Sequence, residues 1–165
     1  MHQAQTGYAR WVLHQDADAL RLMLDATAWV EARHGRLFVS LNYGWLADAL
    51  AASERRGEAR RHVARALWRA RAGDRIGEAM ACRAMALHCG DPGQAAIWLA
   101  RADTSAAARA SAHEAAGNWL CEARLALAAS QPDRARQLLA DAAADFERLA
   151  MPWHLGQAQA LLAGL

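Results

Sequence analysis

The chain has 165 residues, 55% apolar and 22% charged, so it is long enough for a buried core or a short repeat array and too apolar to stay disordered. Alanine fills 44 positions against 2 Phe, 2 Tyr and 3 Pro, a mixture that favours closely packed helices over strands. All 19 basic residues are Arg, which excludes Lys nucleophiles, Schiff-base Lys and phosphate-loop Lys, and a net charge of +2 is far from that of a general nucleic-acid binder.

Residues 1 to 30 carry Asp16, Asp18 and Asp25 and no signal-peptide core, and no later stretch approaches the ~18 uncharged apolar residues of a membrane span. A soluble, cytoplasmic chain is expected, with no membrane partner. Cys82, Cys89 and Cys121, an odd set inside alanine-rich patterns, read as reduced packing thiols.

The helical pattern predicts an all-α fold with helices near 4–13, 16–33, 36–52, 56–71, 75–89, 92–109, 112–129, 132–149 and 152–163. Breaks fall at Gly35, at Glu54 to Glu58, at Gly73, at Gly90-Asp91-Pro92-Gly93, at Ser130-Gln131-Pro132-Asp133 and at Met151-Pro152. Asp91 is expected as an N-cap with Pro92 in the first turn, and Pro132 suits a first turn because its missing amide proton would go unpaired there anyway. Ser111-Ala112-His113-Glu114 reads as a capping box, Ser111 accepting from the Glu114 amide while the Glu114 side chain reaches back.

A repeat of about forty residues overlies these helices. Ala19, Ala59, Ala95 and Ala135 are each followed seven residues later by another alanine, Ala26, Ala66, Ala102 and Ala142, with Met23, Val63, Leu99 and Leu139 midway. Positions 0, 4 and 7 share one helix face, so each unit holds a helix whose two small residues bracket a larger apolar one. The units run over about 1–34, 35–73, 74–110 and 111–150, with a terminal half-unit over 151–165, all within one repeat domain.

In the first complete unit, Tyr43, Leu46 and Ala47 mark the first helix of a pair, and Trp119 and Ala123 do so in the third, while the second helices bear the paired alanines. This layout resembles the tetratricopeptide repeat superfamily over nearly the whole chain. The second unit departs from its pattern with Ala79, Cys82 and Arg83, and the third has Glu122 where leucine is usual. The long repeat resembles those of bacterial MalT-type regulators and of ATPase or cyclase signalling proteins. The resemblance implies a right-handed superhelix of antiparallel hairpins, an α-solenoid of about nine helices. It also implies a scaffold that receives a peptide or helix from a protein partner on its inner surface, the partner including a neighbouring domain of a larger regulator. Taken from the family's first-helix pattern, the groove positions are Leu41, Gly44, Asp48, Met80, Ala84, His88, Leu120, Arg124 and Leu127.

Other chemistry is disfavoured residue by residue. Cys82, His88 and Cys89 lie close together but form no bracket of the kind structural zinc requires, so no metal or other cofactor is expected. No nucleophile elbow surrounds any Ser or Cys, so no catalytic residue is assigned and the chain reads as a non-enzyme. Arg61, Arg65 and Arg69 form an i, i+4 basic face within the Arg55–Arg71 run. A solvated helix face is the commoner explanation of such a stripe. Nucleic-acid contact is disfavoured for want of interleaved aromatics, and docking against a protein or second copy, with Asp141, Asp145 and Glu147 as an acidic counterpart, is the stronger alternative. Seven Trp spread along the chain read as packing residues between hairpins, Trp98 excepted. The last helix reads as the first half of an unfinished hairpin, so Leu155, Leu161 and Leu162 are expected either to form a terminal association surface supporting a homodimer or to be covered by a continuation of the array in a longer chain. The alternative function is a sensor domain that binds a small effector in its groove.

Overall fold

The computed structural model describes residues 2–35 and 38–165, and every described element is α-helical. The helices are α1 (His2–His14), α2 (Ala17–Ala32), α3 (Val39–Ala52), α4 (Arg56–Arg71), α5 (Glu78–His88), α6 (Pro92–Ala108), α7 (Ala112–Ala128), α8 (Pro132–Arg148) and α9 (Pro152–Ala163). The expected start of the third helix at 36 lies outside the described residues. The fifth begins three residues later than the pattern predicts, because Asp74 is engaged by α3 and the chain turns through Arg75–Gly77 before helical bonding starts.

Most helix ends are closed by backbone geometry and not by a terminating glycine. Gln15, His34, Glu54, Gly73, Gly90, Ala110, Ser130 and Ala150 all have positive φ, at steps of 17 to 20 residues along the chain. At six of these corners the following amide donates back across the turn: Gly35 to Val30, Arg55 to Leu50, Asp74 to Arg69, Ser111 to Ala106, Gln131 to Ala126 and Met151 to Phe146. These are Schellman closures, which satisfy carbonyls that the helix itself leaves open. Helix starts are more varied. Asp16 accepts from the Ala19 amide and Asp91 from the Gln94 amide, with Pro92 in the first turn as expected. The capping box at Ser111 does not form. The Ser111 amide donates to the Ala106 carbonyl across the corner, and the Ser111 side chain makes no cap bond. Ser111 Oγ lies 3.1 Å from His113 Nδ1, and Glu114 is buried with Arg109 at 3.8 Å.

The chain forms two compact units, Met1–Gly90 and Asp91–Leu165. In the first, α3 touches α1, α2, α4 and α5. Its sequence carries a single charge, Asp48, and ten of its fourteen residues are buried. Trp11, Leu20, Met23, Leu46 and Leu50 form the core with Ala19, Ala49, Ala51 and Ala59. The α3–α5 contact is close because Gly77 lies against the first turn of α3, where a Cβ would stand 1.9 Å from the Ser40 carbonyl oxygen. Ser40 ties this contact together: its amide and hydroxyl donate to the two Asp74 oxygens at 2.9 and 2.7 Å, and its hydroxyl oxygen accepts from the Gly77 amide at 3.0 Å. Asp74 thus caps α3, a role that Phe38 at the N-cap position does not fill.

In the second unit α7 packs on α6 and α8, and α8 on α9. Leu120, Leu139 and Phe146 are buried among Ala116, Ala123, Ala142 and Ala158, each large side chain contributing roughly 1.5–3 kcal/mol by its removal from water. All eight repeat alanines, Ala19, Ala26, Ala59, Ala66, Ala95, Ala102, Ala135 and Ala142, are buried. So are Met23, Val63 and Leu139, while Leu99 is half-buried.

Candidate functional site

In the first unit, α1, α3 and α5 bring together a small cluster of polar and aromatic side chains. Tyr8 stacks on Trp45 with ring centroids 5.4 Å apart, and its hydroxyl donates to Asp48 Oδ2 at 3.0 Å. His88 lies near enough to feel Asp48 and Arg56. Burial pushes its pKa below the usual histidine value and Arg56 adds to that effect, while Asp48 opposes both. A half-buried carboxylate, a neutral imidazole and a stacked aromatic pair can orient a polar group of a bound chain while the rings supply contact area.

Of the expected groove positions, Asp48 and His88 lie near each other, with Leu41 and Met80 half-buried on the same helices. Gly44 and Ala84 are not available to a ligand. Both are buried, and a Cβ at Gly44 would stand 3.0 Å from the Gly77 carbonyl oxygen, so this glycine serves the α3–α5 approach. In the second unit Leu120 is buried in the core cluster, Arg124 donates to Gln157 of α9 at 3.2 Å, and Leu127 is half-buried. The family pattern thus misassigns Gly44, Ala84 and Leu120, because those positions face neighbouring helices. Tyr8 and Trp45 were missed; no local motif marks them, since their partner Asp48 is forty residues from Tyr8.

A second feature of the first unit is an open cleft of about 430 Å³ bordered by Glu31, Tyr43, Trp68 and Arg69. Glu31 Oε1 accepts from the Tyr43 hydroxyl at 2.5 Å and from Arg65 Nη1 at 2.9 Å. Burial, with the Glu31 hydrogen bond added, pushes the Tyr43 phenol up to about 12. His62 lies 5.9 Å from the Tyr43 ring, its Nδ1 buried without a partner among the described residues, and burial lowers its pKa. Arg61, Arg65 and Arg69 do not act as one solvated stripe. Arg61 is 69% exposed and 3.8 Å from Glu58, Arg65 turns to Glu31, and Arg69 is only 16% exposed, donating to the Gly35 carbonyl at 2.7 Å.

The tryptophans divide. Trp11 is buried and Trp45, Trp98 and Trp119 are half-buried, but Trp29, Trp68 and Trp153 are exposed, contrary to a uniform packing role. Trp29 carries the Arg33 guanidinium 4.0 Å above its ring. Leu155, Leu161 and Leu162 are half-buried and lie against the second unit's core, turning much of their apolar area inward. Among the described residues no group of His, Cys, Asp or Glu is arranged to hold a metal, and no helix is long and apolar enough to cross a membrane. The three thiols are unbridged. No protein-family model, curated protein or solved structure matches the chain.

Proposed function

We propose that the chain is a tetratricopeptide-like repeat module, cytoplasmic and non-catalytic, that binds a peptide or helix of a protein partner on the first-helix surface of its first unit. The observation that carries this reading is the Tyr8–Asp48 hydrogen bond beside Trp45 and His88, a half-buried polar group with a stacked aromatic pair that joins α1, α3 and α5. The regular corner spacing and the buried alanine pairs support the repeat architecture, and with it a relationship to larger bacterial signalling regulators. The test is selection of peptides from a random library on the purified chain, followed by binding to Asp48→Ala and His88→Ala. Loss of binding in both variants is expected. The site is refuted if every selected peptide binds both variants as tightly as it binds the parent chain.

A second reading, a small-effector sensor, is favoured by the cleft bordered by Tyr43 and Trp68, whose volume falls within the range of ligand pockets. A metabolite screen by thermal shift distinguishes the two, since a ligand at ~100 times its dissociation constant adds about 2.7 kcal/mol.

A further inference from the structure

The outward face of α4 combines features that the groove reading leaves unused. The helix carries six Arg and one Glu between Arg56 and Arg71. Ala59, Val63, Ala66 and Ala70 point into the core, which sets Gly57, Arg61, Ala64, Trp68 and Arg71 along the opposite side at 4-3-4-3 spacing. That is the spacing of a helix–helix seam. A Cβ at Gly57 would meet nothing within 4 Å, Ala64 is exposed, and Trp68 is 62% exposed, so the seam has two low points and one large anchor. Arg60 and Arg71 are exposed and have no acidic partner among the described residues. Glu58, the helix's one acid, is already held by Arg55 at 2.7 and 2.9 Å. The imbalance extends beyond the helix: residues 1–90 hold thirteen Arg against nine acidic residues, and residues 91–165 hold six against eight.

We infer that this face is a second docking surface, separate from the groove, and that its occupant is an acidic amphipathic helix of another protein. Gly57 and Ala64 let a partner backbone approach closely, and Trp68 offers a broad apolar anchor of the kind that dominates binding energy. Arg61 and Arg71 within the seam, and Arg60 beside it, present guanidinium groups suited to bidentate pairing with carboxylates. The arrangement favours a helix over a single-stranded nucleic acid. Stacking successive bases needs several aromatic platforms, and this face has one.

The test uses the full chain and a fluorescein-labelled three-heptad helical peptide with Leu along one seam and Glu on both flanks. Two controls accompany it: the same peptide with Gln for Glu, and an oligothymidylate of similar length. The Glu peptide is expected to bind at least ~10-fold more tightly than its Gln twin, with weaker binding as salt rises from about 0.05 to 0.3 M. Arg60→Glu with Arg61→Glu, and separately Trp68→Ala, should each weaken it by ~10-fold or more while leaving the melting temperature unchanged. Asp48→Ala should leave this binding intact, which separates failure here from failure of the groove. The inference is overturned if the Glu peptide does not bind at about 100 μM, since an affinity that weak would leave no specific interface. Equal binding of the Gln twin, indifference to Trp68→Ala, loss of binding in Asp48→Ala, or tighter binding of the oligothymidylate would each overturn it as well.

Discussion

Replacing Gly77 by alanine tests whether α3 and α5 meet as closely as the structure describes. The backbone at Gly77 has φ −87° and ψ −1°, which alanine adopts readily, so any cost is steric and not conformational. The added Cβ would stand 1.9 Å from the Ser40 oxygen, 2.2 Å from the Ser40 carbonyl carbon and 2.6 Å from the Leu41 nitrogen, all backbone atoms that no rotamer change can move. Relief requires the first turn of α3 to retreat by more than an ångström, and the Gly77–Ser40 and Ser40–Asp74 hydrogen bonds lie across that gap. Overpacking strain costs ~1–3 kcal/mol. Losing the buried bond to Ser40 and loosening the charged Asp74 cap adds ~1–3 kcal/mol, for a total of about 2–6 kcal/mol. In a domain of this size that lowers the melting temperature by about 10 °C. Gly57→Ala is the matched control: its Cβ meets nothing, and alanine in place of glycine within α4 should stabilise by ~0.4–1 kcal/mol. Urea titrations followed by far-ultraviolet circular dichroism read both. If Gly77→Ala falls within ~0.5 kcal/mol of the parent chain, the close approach is wrong.

Four further expectations concern packing and charge. Ala135→Leu should destabilise by ~1–3 kcal/mol because that site is fully buried, whereas Ala140→Leu on the exposed side of α8 should stay within ~0.5 kcal/mol; equal melting shifts would mean the repeat register is misplaced. His62 has a lowered folded pKa, so the unfolded chain binds its proton more readily and stability should decline as pH falls below about 6.5; replacing it with Phe should flatten that decline in thermal melts. Tyr43 shifts the other way. Its raised pKa favours the protonated fold, so the stability it contributes is complete below pH 10 and is lost as pH rises towards about 12, and Tyr43→Phe should remove this alkaline loss in denaturant titrations. Leu161→Glu with Leu162→Glu should lower the melting temperature, since both leucines lie against the core of the second unit. A change confined to sedimentation behaviour, with no change in melting, would instead favour the terminal homodimer surface.

The helix boundaries were legible wherever a local signal sets them. α4 and α9 match the sequence pattern to the residue, as do the starts of α6, α7 and α8, because proline or a polar turn ends one helical run and begins the next. The eight alanines were legible for a different reason: a small residue recurring at a fixed offset identifies a crowded interface without reference to the partner. What could not be read is what distant pieces do to each other. The capping box at Ser111 satisfied its local pattern and does not form; the Ser111 amide bonds across the corner to Ala106 instead. Asp74 caps a helix that begins thirty-five residues earlier, and Arg69 leaves the solvent for the Gly35 carbonyl, both pairings that no sequence window contains. The same limit applied to the site. Asp48 and His88 were accessible to a family pattern, but Tyr8 and Trp45 join them only through stacking and a bond across forty residues.

The corners at Gln15, His34, Glu54, Gly73, Gly90, Ala110, Ser130 and Ala150 have a kinetic consequence. At six of them the Schellman bond joins residues five apart, and the substantial helix contacts reach only the next helix or the one after it. The loops that must close on the way to the fold are correspondingly short, so little chain entropy is lost before contacts form. Low contact order of this kind is associated with folding in microseconds to milliseconds. During synthesis at ~5–20 residues per second, each helical pair can therefore settle within moments of emerging, long before the next has been made. For a sequence more than a quarter alanine, with half-exposed tryptophans on several helices, rapid local closure limits the time during which apolar surface is open to other nascent chains.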